Sequence, residues 1–282
     1  MKPKTAFHLL KRAAINWNNH DPFAKSATVA YYALFSLPSL LLIVIWVASI
    51  FAGQDAVQGE ITKEFSSLIG EGAAQAIQDM LVSAALNSNS TINYIIGIGT
   101  LIFGATGVFY QLQQALNTIF SVTDRNTGFK RMALDRLISF GMIIAIGFLL
   151  LISLIVSTAI TGVINYFKQF YPEITAVLLD LANFVVSLMV ITVLIGAVLK
   201  ILPDIHIRWK TTIIGSAITT VLFLIGKFLI GLYIGHSNPA SVYGAASSIV
   251  LIMLWIYYTG LILFFGAEFT AVYANHIKEK VS

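Results

Sequence analysis

The chain has 282 residues, 57% of them hydrophobic and 11% charged, with a formal net charge of +4 and no cysteine. Soluble domains carry about 25% charged residues, so this composition belongs to a membrane protein. The lack of thiols excludes disulfides, thiolate metal centres and cysteine nucleophiles.

In chain order, the first predicted element runs from Thr5 to Asn19. Phe7, Leu10, Ala14 and Trp17 recur there at helical spacing, with Lys4, Lys11 and Arg12 elsewhere on the wheel. This pattern fits an interfacial helix on an anionic leaflet. It fits equally a basic flank that happens to be helical. Asn18 to Pro22 ends it, and residues 1–28 are read as a cytoplasmic segment. The first apolar run begins near Val29 and is too long for a signal-peptide core.

Six spans follow: Val29–Phe51, Ile92–Tyr110, Leu137–Ile164, Ala176–Leu199, Thr212–Gly235 and Gly244–Ala271. Each reaches roughly the 20 apolar residues needed to cross a bilayer. Each should be a helix, because lipid offers the backbone no hydrogen-bond partners. Pro38 lies inside the first span and leaves the carbonyl of Leu34 without its helical donor, which predicts a kink. Ser36 and Ser39 flank it and are placed to help satisfy that turn. Between the first two spans, Ala52 to Thr91 shows Ile61, Phe65, Leu68, Ile77, Met80, Leu81 and Ala84 at helical spacing, interrupted by Gly70 and Gly72. Two short amphipathic helices are expected over 52–91, packed as an outer cap.

Basic residues set the orientation. Lys2, Lys4, Lys11, Arg12, Lys25, Arg125, Lys130, Arg131, Arg136, Lys200, Arg208, Lys210, Lys278 and Lys280 all fall on one side, against Lys63 and Lys168 on the other. Both termini are therefore expected in the cytoplasm. The positive charge reports orientation, and nucleic acid is not an expected partner. The fold class is all-α: one polytopic domain over 1–282 with six transmembrane helices.

Few residues suit chemistry. The five histidines (His8, His20, His206, His236 and His276) lack metal-ligand spacing and read as solvated loop residues. No phosphate-binding glycine loop or nucleophile elbow is present. No cofactor, metal site or catalytic residue is expected. Gly231 and Gly235 form one GxxxG, a weak packing signal. On the second helix, Gln111, Gln114 and Asn117 share a side, read as an amphipathic extension into the cytosol, with a polar cavity as the alternative.

Three ionisable groups lie inside spans: Asp180, Lys227 and Glu268. A charge at the centre of a span costs roughly 2.5–3.5 kcal/mol on insertion scales. At ~1.5 Å per residue, Lys227 lies roughly 12 Å, and Asp180 roughly 6 Å, below the outer ends of their helices. Asp180 is thus the expected partner of Lys227. Glu268, about 5 Å from the inner end of its helix, is expected to meet Arg136 or Lys200.

Several stretches resemble the YihY/BrkB family of bacterial inner-membrane proteins. They are the run from Ala27 to Pro38 (ATVAYYALFSLP), Leu116-Asn117 before a basic loop, Leu202-Pro203 before Trp209, Tyr243-Gly244, Trp255 and Gly266-Ala-Glu268. The resemblance covers nearly the whole chain in order. It implies a six-helix protein of the inner membrane and a link to the cell envelope, and it carries over no catalytic residues. A ribonuclease label attached to the family finds no metal cluster or acid–base pair here. The favoured reading is transport of a lipid-like or amphiphilic envelope substrate. The alternative is a non-transporting scaffold for envelope assembly, with membrane lipids, an envelope protein or a second copy as partners.

Overall fold

The computed structural model describes residues 3–36, 75, 78, 107–122, 141, 149, 152, 156, 160, 172–237 and 246–277. Among them the regular structure is entirely helical: α1 (Pro3–Asn19), α2 (22–36), α3 (107–119), α4 (Pro172–Ile201), α5 (Trp209–Ser237) and α6 (Ser247–His276). Pro38, the 52–91 cap apart from residues 75 and 78, Arg136, and most of the first three predicted spans lie outside the described residues. So does the side chain of Asp180.

Helices α4, α5 and α6 have 30, 29 and 30 residues and are each long and apolar enough to cross a membrane. They coincide with the last three predicted spans. At ~1.5 Å per residue each runs about 45 Å, beyond the roughly 30 Å hydrocarbon core. Their ends therefore extend past it or the helices tilt. Leu181, Val185, Met189 and Val193 make an exposed apolar stripe on α4, and Ile213, Val221, Ile225 and Phe228 make another on α5. Water would penalise such stripes, whereas lipid tails accept them.

Helix α5 packs antiparallel to both α4 and α6. Thr192 meets Thr220 and Ile191 meets Phe223 across α4 and α5. Across α5 and α6 the register is fixed by small residues. A methyl built on Gly215 would overlap the Thr270 hydroxyl, and one built on Gly266 would overlap that of Thr219. Each threonine also donates 2.7 Å back to the carbonyl four residues earlier in its own helix, Thr219 to Gly215 and Thr270 to Gly266. Glycine on one helix thus receives threonine from the other, twice, and neither threonine hydroxyl is left wanting in lipid. Gly231, by contrast, has nothing within 4 Å of an added methyl, so it is no packing seam.

The core sits at one end of the bundle, where α1, the 202–208 connection and the last turns of α6 meet. Leu116, Leu199, Leu202, Ile207, Phe264 and Ala267 form its largest cluster. A second cluster seats Leu9 and Ala13 of α1 on Phe269 and Val272 of α6. This buries a different face of α1 from the one its exposed Phe7 (72%) and Ile15 occupy.

Candidate functional site

Two polar clusters occupy that dense end. The first begins with a chain reversal. The amide of His20 donates to the carbonyls of Asn16 and Trp17, at 3.1 and 3.2 Å, as α1 closes. Asp21 then takes a positive φ of 50°, which aspartate tolerates better than most residues. Pro22 starts α2, where its missing N–H costs nothing. The turn brings the His20 ring to Glu268 of α6, with His20 Nδ1 bonded to Glu268 Oε1. The His20 side chain is 33% exposed and that of Glu268 only 1%. Lys25 Nζ donates to the His20 carbonyl, and Trp17 Nε1 donates to the Leu261 carbonyl at 3.1 Å. Burial pushes the Lys25 ammonium below the usual lysine range, opposed by the charges of Asp21 and Glu268.

The second cluster joins α3 to the 202–208 connection. Asn117 Nδ2 donates to Asp204 Oδ2 at 2.9 Å, and the Asp204 amide returns a bond to Asn117 Oδ1 at 2.8 Å. Gln113, one turn earlier, donates to the other carboxylate oxygen at 3.2 Å. Asn117 works twice, because its backbone carbonyl also closes the end of α3 by accepting from Val122 at 2.9 Å. Ser121 holds the left-handed position of that cap, at φ 55°. Beside this cluster Lys200 Nζ donates to the Ile207 carbonyl and lies 5.6 Å from the centre of the Trp209 ring.

These placements correct several sequence expectations. Glu268 is held by His20, with Lys25 nearby, and Lys200 is engaged elsewhere. Depth along the spans had ignored α1, which folds back along α6 and delivers the ring. His20 is accordingly not a solvated loop residue. Asn117 is 4% exposed and bonded, so that side of α3 does not extend into solvent. Gln111 and Gln114 are only partly buried, and the missed member is Gln113, four residues before Asn117 on the same face. Asp204 was also missed. Its signal was the Leu-Pro-Asp sequence of a tight turn, seen in the 2.8 Å bond from Ile205 N to the Pro203 carbonyl. Ser36, expected to serve the turn near Pro38, donates to the Ala33 carbonyl at 3.2 Å.

Lys227 lies away from both clusters, half-buried on α5. Just before it, Gly226 receives the Tyr258 side chain, whose hydroxyl donates 3.0 Å to the Phe223 carbonyl. Phe223 and Trp255 meet edge to face at 5.6 Å in the same layer. Beyond Gly226 none of the described α5 side chains is buried, and Phe228, Leu229, Leu232 and Tyr233 are exposed. Among the described residues packing is therefore graded, tight at the α1 end and sparser past the layer where the lysine stands. Among the described residues no group of His, Asp and Glu is arranged to hold a metal ion.

Several of the sequence stretches that carry the family resemblance meet in this architecture. Leu116, Leu202 and Ala267 share one cluster, and Asn117 and Glu268 are the polar residues beside it. The profile of the family described as Virulence factor BrkB matches residues 13–282. A UPF0761 membrane protein of Tolumonas auensis is 33% identical over 42% of this chain and 38% of its own length. One from Rhodospirillum centenum is 26% identical over 90% of this chain and 54% of its own length. The chain thus spans about half, or less, of the length of these two relatives. The Bacillus subtilis protein YfkH, whose name calls it ribonuclease-like, is 22% identical over 93% of this chain and 94% of its own length. No solved structure matches.

Proposed function

The chain belongs to the BrkB virulence-factor family, and from that premise we propose that it translocates a lipid-like or amphiphilic substrate across the bacterial inner membrane. In this reading six helices span the bilayer, both termini are cytoplasmic, and the dense α1 end faces the cytosol. The observation that carries it is the packing gradient. The cytoplasmic end is closed by apolar clusters and two bonded polar contacts, whereas α5 loses its buried residues at Lys227. An intramembrane cation is expensive, and a cleft open toward the outer leaflet would add water or an anionic headgroup to the surroundings of Lys227. The apolar residues past it would accept acyl chains. Alternating access then needs the cytoplasmic end to part along its polar contacts while the Gly/Thr-packed pair α5–α6 moves as one body.

A scaffold for envelope assembly remains the second reading, supported by the internal pairing of the polar groups at the closed end. We do not read the chain as a nuclease, and the purified protein is expected to leave RNA intact with or without divalent metal. The deciding experiment is reconstitution into liposomes with lipid-flip and solute-flux assays. Activity in the lipid assay supports translocation. Silence of folded protein in both assays favours the scaffold.

A further inference from the structure

Glu268 is a carboxyl group 1% exposed on a membrane-spanning helix, and among the described residues it is bonded to a histidine ring that reaches solvent. A tether alone would be served more cheaply by a neutral amide, because removing a carboxylate from water is costly even after relaxation. A carboxyl behind a histidine has a further property: it takes up and releases a proton through the ring. Among the described residues the charged groups acting on Glu268 are His20 from the α1–α2 turn and Lys25 from the first turn of α2, with Asp21 acting on Lys25. Leu112 and Leu116 of α3 share a cluster with Ala267, Thr219 of α5 packs on Gly266, and the nearby polar groups of α3, Gln113 and Asn117, are bonded to Asp204.

We propose that Glu268 and His20 form a proton-binding site that exchanges with the water at the α1 end of the bundle. A hydronium ion from the solvent protonates His20 at Nε2, leaving water and giving the imidazolium. The Nδ1–H bond then breaks as an O–H bond forms on Glu268 Oε1. The product is a neutral carboxyl group beside a neutral ring that carries its hydrogen on Nε2. No other reactant is needed, and reversal returns the proton to water. In the neutral state the ionic part of the contact between the α1–α2 turn and α6 is gone, and Lys25 has lost the Glu268 charge. The hydrogen bond from Trp17 to the Leu261 carbonyl remains. Use of this proton as the coupling ion of translocation rests on the reading given under Proposed function, whereas its binding does not.

The test is an infrared titration of the full chain in lipid nanodiscs. A protonated-carboxyl band should appear on acidification, shift in deuterium oxide, and vanish in Glu268→Gln. In His20→Gln, which keeps a hydrogen-bond donor and the carboxyl, its midpoint should move by about one pH unit or more. A purely structural pair would not produce that movement. If Glu268→Gln fails to fold, the shift in His20→Gln, with glutamate isotope-labelled, still decides the matter. A carboxyl that never titrates while the protein is folded overturns the proposal, as does a midpoint indifferent to His20. Titration without lipid translocation keeps the site and removes the transport reading. Translocation without titration removes the site alone.

Discussion

Asn117 and Asp204, 87 residues apart, bond to each other in both directions, carboxamide to carboxylate at 2.9 Å and backbone amide to carboxamide oxygen at 2.8 Å. The pair pins the α4–α5 connection to the end of α3. Truncating one partner leaves the other partly desolvated and short of a bond, which costs about 1–3 kcal/mol. Asn117→Ala and Asp204→Ala are each expected to lower thermal stability in detergent by that order. The double variant should lose less than the sum, and Asn117→Asp should lose more than Asn117→Ala because two carboxylates would face each other. Additive losses would mean the two residues are not coupled.

The α5–α6 seam is tested by adding a methyl. Gly266→Ala drives a carbon into the Thr219 hydroxyl and is expected to destabilise by about 1–3 kcal/mol, as overpacking does. Thr219→Ala in the same chain should recover part of the loss. Gly231→Ala, where the space is open, is the control and should be neutral or gain about 0.5–1 kcal/mol from helix propensity. Equal losses at Gly231 and Gly266 would refute the seam.

Orientation has its own test, helped by the lack of native cysteine. Single cysteines at Ser66, Gln169 and Ser237 should react with an impermeant reagent applied to intact cells. Those at Thr127 and Trp209 should react only after the membrane is opened. Labelling of Thr127 or Trp209 from outside would reverse the topology.

The expected pairing of Lys227 with Asp180 is open to a double-mutant cycle. Removing one member of a buried pair can cost about 3–5 kcal/mol, while replacing both is often milder. Asp180→Asn or Lys227→Met alone should lower the melting temperature, and the double variant should recover much of it. A double variant as damaged as the sum of the singles would sink the pairing.

Much of the fold was legible because length and hydropathy report spans directly. Three predicted spans coincide with α4, α5 and α6 for that reason. The polar site was legible only in part. Glu268 and Asn117 stood out as polar groups in apolar runs, but their partners did not. His20 lies 248 residues from Glu268 and is brought to it by a tertiary contact of α1, which depth along single spans does not register. Asp204 and Gln113 sat among ordinary loop and helix-end polar residues, and only the fold shows both turned inward. The Gly/Thr seam was hidden for the opposite reason. Glycine and threonine are common in spans, and the pairs Gly215–Thr219 and Gly266–Thr270 acquire meaning only when the two helices are laid antiparallel.

The central claim is that an amphiphile crosses the membrane through a bundle whose cytoplasmic end must open. The direct measurement is lipid flip in liposomes by the double variant Asn117→Cys/Asp204→Cys, before and after the two thiols are bridged. The account predicts flip in the reduced protein, its loss on bridging, and its return with reductant. Flip that is indifferent to the bridge, or absent from folded unmodified protein, would contradict it.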